Sequence, residues 1–180
     1  MLQITVPDRE LWDERSEIFV YIKGQKLQLE HSLVSLSKWE EKYCKPFLIR
    51  DEKTSEEIKE YVKCMTLTQN VNPDVYDILS NENLTEIKNY IEAPMTATRF
   101  SDTNNQEHSG EQITAELIYY QMIALNIPFE CRKWHLNKLL TLIKVCSIKN
   151  QPPKKRSTRE IMRRNSALNA ARRKRYNTRG

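Results

Sequence analysis

The residues best equipped for chemistry are three histidines and four cysteines, and they are sparsely placed. His31 stands in Glu30-His31-Ser32 at an expected strand-to-helix junction, His108 in a polar run, and His135 beside Trp134. Cys131 and His135 are four apart and on a helix could face one way. That supplies two ligands where zinc takes four, or three plus water, so the pair is read as a packed cysteine and a corner histidine. A Cys-His nucleophilic pair can form from distant residues, yet nothing singles out one of Cys44, Cys64, Cys131 or Cys146. Gly-x-Ser-x-Gly, His-Glu-x-x-His and paired carboxylates on an apolar background are all absent from the sequence. The runs Glu40-Glu41 and Glu56-Glu57 are expected to be solvated helix faces. Only Gly24, Gly110 and Gly180 are glycines, which excludes glycine-rich phosphate loops. The expectation is a protein that is not an enzyme and holds neither metal nor cofactor.

The stronger signal is charge. From Lys154 to Gly180 there are eleven Lys and Arg against Glu160 alone, a net charge of +10 within a chain whose total is +5, leaving −5 on residues 1–153. An acidic body joined to a basic tail gives each part a partner of opposite sign to seek. Arg163, Arg164, Arg172, Arg173, Lys174 and Arg175 are the candidate partner-binding residues. They could neutralise phosphates in a salt-sensitive, sequence-blind way. Tyr176 is the tail's only aromatic residue, so base stacking is poorly provided for. Asn165, Asn169 and Asn177 could line one edge of a helix, to read bases or simply as surface. A protein partner with an acidic or helical surface, nucleic acid and a solubilising terminus all remain open.

The elements that must position these residues read as mainly α, with a small N-terminal β-hairpin element and a basic C-terminal helical or disordered arm. Leu2 to Val6 alternates as a strand, Asp8 to Glu14 is expected as a short helical turn, and Glu17 to Ile22 and Lys26 to Glu30 as strands around Lys23-Gly24-Gln25. From Ser32 the apolar period changes to that of a helix, ending before Pro46. Thr54-Ser-Glu-Glu57, Asn83-Leu-Thr-Glu86 and Ser109-Gly-Glu-Gln112 have capping-box spacing, and Asn72-Pro73 adds a cap with proline at the first helical position. Helices are expected over Ser55 to Leu67, Pro73 to Leu79 and Leu84 to Ile91, with Thr96 to Ser101 extended and Ser101 to Gly110 a loop.

The chain is expected to be organised around Ile113 to Ile148, read as a helical hairpin that turns at Pro128. Phe129 and Trp134 would pack at its corner, and Leu136, Leu139, Leu140 and Ile143 would form the core stripe. So apolar a second segment is expected to be covered on most sides. Both segments fall short of the roughly 20 apolar residues that span a bilayer, so no membrane partner is expected. Unpaired cysteines suit a reducing, cytosolic setting. Gln151-Pro152-Pro153 marks the boundary between a body at 1–150 and an arm at 151–180. Ser157-Thr-Arg-Glu160 opens a helix over Thr158 to Tyr176, marginal on its own. Deleting Lys154 to Gly180 is expected to leave the body folded.

The run Ile127-Pro-Phe-Glu-Cys-Arg-Lys-Trp-His-Leu-Asn-Lys-Leu-Leu-Thr-Leu-Ile143, with the ending Asn169-Ala-Ala-Arg-Arg-Lys-Arg-Tyr-Asn-Thr-Arg-Gly180, resembles small tail-morphogenesis proteins of long-tailed bacteriophages. It is similar to their tail assembly chaperones, most closely over the C-terminal third. The resemblance implies a non-enzymatic protein of the host cytoplasm that binds the tape-measure protein, keeps its helices from aggregating and recruits tail-tube subunits. It also implies possible self-association through a helical N-terminal domain, and it carries over no catalytic residue. Two alternatives stand beside it: a structural virion component such as a head-tail joining or tail-completion protein, and a small nucleic-acid-binding protein acting through the basic arm.

Overall fold

The computed structural model describes residues 1–13, 17–49, 53–100, 112–151 and 158–177. The chain is mainly α. In order, its elements are β1 (Leu2–Thr5), β2 (Arg9–Asp13), β3 (Ile18–Ile22), β4 (Lys26–Leu29), α1 (Leu33–Tyr43), α2 (Ser55–Met65), a 3-10 turn (Pro73–Tyr76), α3 (Asn81–Glu92), α4 (Ala115–Ala124), a second 3-10 turn (Phe129–Lys133), α5 (Leu136–Asn150) and α6 (Thr158–Tyr176). They fall into two compact units, Met1–Ile148 and Lys149–Gly180.

The β part differs from expectation. It consists of two separate antiparallel ribbons, β1 with β4 and β2 with β3, because residues 9–13 form a strand where a helical turn was expected. Leu11 pairs with Val20 and Trp12 with Phe19, so the second ribbon draws its partner from the β-branched run that follows it. The ribbons meet at a tight crossing. A Cβ on Gly24 would lie 2.0 Å from the Val6 carbonyl oxygen, so only glycine lets the two backbones approach. Beside it the Val6 N–H donates to the Gln25 carbonyl at 2.9 Å.

Helix starts follow local cap chemistry. Ser32 caps α1 by accepting from the Ser35 N–H, and Cys44 ends that helix in the left-handed region at φ 51°. Thr54 and Glu57 form the reciprocal capping box of α2. The start of α3 lies earlier than expected: Ser80, not Asn83, is its cap, and Asn83 is the residue whose side chain reaches back to it. Thr114 caps α4. The Ser109–Gln112 box falls almost wholly, and the Ser157 cap entirely, outside the described residues, as does the Ser101–Gly110 loop. The residues after Asn72 form a 3-10 turn instead of the expected helix, and Thr96–Phe100 is irregular, not extended.

Two apolar clusters fill the first unit. One gathers the β1/β4 ribbon with Ile22, Trp39, Tyr61, Val62, Met65 and Ile87. The other gathers Leu33 and Leu36 of α1 with Ile118, Met122, Ile127, Leu136, Leu139 and Ile143. Helix α1 therefore belongs to both, giving Trp39 to the first and its two leucines to the second. The chain was expected to be organised around Ile113 to Ile148; the two segments, α4 and α5, do share one core, and they share it with α1, which lies earlier in the sequence. The joint is sealed by Glu40. Its buried carboxylate accepts from the Phe47 N–H at 2.9 Å and from the Ala115 N–H at the start of α4 at 2.7 Å. Glu57 is buried too, accepting from the Thr54 N–H at 2.8 Å and from Lys45. The expectation that Glu40-Glu41 and Glu56-Glu57 are solvated faces thus holds for Glu41 and Glu56 alone.

Candidate functional site

The two histidines that the structure describes come together. His31, at the end of β4, and His135, just before α5, lie with ring centroids 5.1 Å apart, and their segments are joined by an isolated bridge between Ser32 and His135. The Leu136 N–H donates to the His31 carbonyl at 2.7 Å, fastening the start of α5 to the β4–α1 junction. His31 Nδ1 shares a 2.5 Å hydrogen bond with the Tyr61 hydroxyl. The Asn137 N–H donates to His135 Nδ1 at 3.3 Å, which fixes that nitrogen as the acceptor, so Nε2–H donates to the Tyr90 carbonyl at 3.0 Å. The Tyr90 hydroxyl in turn donates to Glu30 at 2.7 Å.

This is the arrangement of two neutral imidazoles. Burial, and then the neighbouring His135, push His31 down to about 3, and burial lowers His135 as well despite its bond to the Tyr90 carbonyl. Burial raises the Tyr61 hydroxyl, and burial together with the bond to Glu30 raises Tyr90. With His31 2% and His135 7% exposed, neither ring is presented to a substrate. The cluster joins elements of both apolar clusters, and that is the work its geometry supports. Cys131 is buried in the second 3-10 turn, while both nitrogens of His135 are engaged within the protein. Among the described residues no group of three His, Cys, Asp or Glu comes together to hold a metal ion, and none of their helices is long and apolar enough to cross a membrane.

Surfaces are more informative than the interior. A groove of about 290 Å³ runs between α2 and α3, walled by Phe47, Ile58, Val62, Leu84, Ile87 and Ile91 and edged by Lys53, Lys88 and Glu92. Its walls are apolar, so it can take a side-chain ridge and offers nothing to a reacting group. Ile58 is 43% exposed on its lip. On α4, Tyr120 and Ile123 are three residues apart and therefore on one face, 66% and 68% exposed. On the β2/β3 ribbon Trp12, Phe19 and Tyr21 share a face and are all exposed, with Trp12 and Phe19 edge to face at 4.9 Å. Asp8 holds Tyr21 by accepting from its hydroxyl and accepts from the Gly24 N–H at 2.8 Å, and these two bonds keep its carboxyl below the usual range.

The residues singled out in the sequence are distributed as follows. Leu136, Leu139 and Ile143 are buried and Leu140 is half-buried. Trp134, expected at the packed corner, is 39% exposed with the Lys138 ammonium 4.3 Å from its ring centre, and Phe129 is exposed and stacked on Tyr119. Ile127 and Cys131 fill that corner instead, Cys131 being the buried residue of the 3-10 turn. Helix α5 is not covered on most sides: Leu142, Val145 and Cys146 are half-buried and Ile148 is exposed. In the second unit, Arg163, Arg164, Arg172, Arg173, Lys174 and Arg175 are exposed along α6, as are Ile161, Met162 and Leu168. Asn165 and Asn169 are on α6, and Asn177 follows its last turn.

Sequence reasoning missed the groove, the ribbon's aromatic face and the two buried glutamates. Glu57 had a legible signal, since a residue at the third position of a capping box must turn its carboxylate inward to reach the cap. The groove had none, because its walls come from two helices whose apposition is decided elsewhere. No family model, no curated protein and no solved structure matches this chain.

Proposed function

We propose that this chain is a non-enzymatic assembly chaperone of a long-tailed bacteriophage. Its body holds the tape-measure protein, and its basic arm, built on α6, recruits tail-tube subunits in the host cytoplasm. The observation that carries this reading is the large apolar side chains that the folded body leaves outside, Tyr120 and Ile123 on α4 above all. Two large apolar side chains one turn apart on an exposed helix face suit a partner, and a helical client with a repeating apolar stripe is the chemistry they fit. The resemblance of Ile127–Ile143 and of Asn169–Gly180 supports the choice of client.

Co-expression tests it. With the full chain present, the tape-measure protein should stay in the supernatant after centrifugation and co-purify with it; Ile123→Asp should send it to the pellet. A client that sediments equally with or without the chain would refute the reading. Purified virions decide against the structural alternative if they lack the chain.

The exposed cationic row of α6 favours one further reading, nucleic-acid binding. Its mark would be affinity for a labelled RNA or duplex that falls steeply with salt; no binding at low salt removes it.

A further inference from the structure

Strand β3 reads Ile18-Phe19-Val20-Tyr21-Ile22, with Glu17 before it and Lys23 after it. Taken in reverse, the strand has the same order of aliphatic, aromatic, valine, aromatic, aliphatic, and the charges at its two ends have opposite sign. One edge of β3 is bonded to β2, and the other has no strand partner among the described residues. A two-stranded ribbon is marginal by itself, and an apolar edge strand without charge is a template for another chain. The neighbouring strand β2 carries Arg9 and Glu10, the usual protection of an edge, whereas β3 carries no charge within its span.

We propose that β3 pairs antiparallel with β3 of a second copy of this chain, about a two-fold axis through Val20, closing a dimer around a four-stranded sheet. In this register Val20 meets Val20, and Phe19 meets Tyr21 and Ile18 meets Ile22, each twice, while Glu17, in the turn just before the strand at φ 53°, comes near the Lys23 end of the partner strand. Every alternative is worse. Slipping the register by one residue sets Lys23 against Ile18 or Glu17 against Ile22 and turns the partner strand's faces over, and slipping it by two sets Lys23 against Phe19 or Glu17 against Tyr21. The exposed rings of Trp12, Phe19 and Tyr21 from both copies then form one continuous face. Because the pairing is isologous it stops at two copies and does not run on as a fibre. This goes beyond the tail-assembly reading and does not depend on it.

Sedimentation of the full chain over a range of micromolar concentrations tests the pairing. The wild type should show a monomer–dimer equilibrium, and Val20→Lys, at a half-exposed position, should abolish it with an unchanged far-ultraviolet spectrum. Glu17→Lys and Lys23→Glu, which each bring like charges near one another at both ends of the paired strands, should weaken association several-fold. The double variant should restore it, which no contact within one chain can do, because the two residues lie at opposite ends of the strand. As a measurement that does not rely on a disruptive variant, Val20→Cys should oxidise to a disulfide-linked dimer faster than the parent, since directly opposed strand residues lie within disulfide reach. A monomeric wild type, including one that takes up a strand-forming peptide instead, overturns the proposal. So do a dimer that survives Val20→Lys, open-ended polymers, a double variant without recovery, and no cross-linking gain at position 20.

Discussion

Acidification from pH 7 to pH 5 should cost this protein about 2 kcal/mol of folding stability through His31 alone, taking an unfolded histidine at roughly pKa 6.5. In the folded chain the ring is lowered to about 3, by burial first and by His135 second. Between those two values the unfolded state binds a proton that the folded state does not, so stability rises with pH there and is lost as pH falls through about 6.5. Because the folded value lies well below 5, the loss over this window is set by the unfolded pKa and hardly by the depth of the folded one. His135, also lowered by burial, adds a loss of the same sign. Carboxylates act in a lower window: Glu57, held down by the hydrogen bond from Lys45 and then by the Thr54 N–H, contributes stability that is present above its unfolded pKa and lost only as pH falls past it. The assay is urea unfolding of the full chain by circular dichroism at the two pH values, for the wild type and for His31→Gln, whose amide oxygen can still accept from Tyr61. The variant should lose about 2 kcal/mol less than the wild type on acidification. An equal loss in both proteins, or a wild type more stable at pH 5, would refute the neutral-pair assignment.

Replacing Glu40 by alanine strands the Phe47 and Ala115 N–H groups, and should cost about 3 kcal/mol, read as a shift in the urea midpoint at constant slope. Gly24→Ala drives a methyl into the Val6 carbonyl oxygen and should cost about 2 kcal/mol or more, with loss of amide-exchange protection at Val6 if the crossing opens. Leu36→Ala, in the fully buried face that α1 gives to the second cluster, should cost roughly 3 kcal/mol.

What could be read from the chain depended on how local its cause was. The starts of α1 and α2 were legible because the residues that terminate the backbone, Ser32 with Ser35 and Thr54 with Glu57, sit within one turn of each other. The start of α3 was placed three residues late, since the apolar pattern begins at Leu84 while the capping chemistry begins at Ser80. Strand β2 was misread for a different reason. Arg-Glu-Leu-Trp has no extended preference of its own and becomes a strand by pairing across a connection with residues 18–22. Glu40 could not be told from a solvated glutamate until the amino end of α4 arrived from 75 positions away to use it. A still longer separation, 135 − 31 = 104 positions, hid the histidine pair, whose members were each read alone. Leu136, Leu139 and Ile143 were legible as core because their spacing states it, but their partners Leu33 and Leu36 lie in α1, which no pattern within 113–148 could indicate.

Exposed apolar residues can mean an incomplete fold as easily as a binding surface, and the interior separates the two. Among the described residues every buried side-chain nitrogen and oxygen has a hydrogen-bond partner, which a loosely packed chain does not achieve. The exposure of Trp12, Phe19, Tyr120 and Ile123 therefore accompanies a finished core, and the two surfaces they belong to can be assigned separately. Phe19 flanks the proposed two-fold axis; Ile123 belongs to α4, on the face proposed for a client. Val20→Lys should abolish self-association and leave tape-measure solubilisation within about twofold at saturating chain, whereas Ile123→Asp should do the reverse, since charges placed at separate sites act independently. Sedimentation and client pelleting, run on both variants, give a two-by-two outcome. If either single substitution removes both activities while circular dichroism shows an intact fold, one shared surface serves both, and the division between ribbon and helix face is wrong.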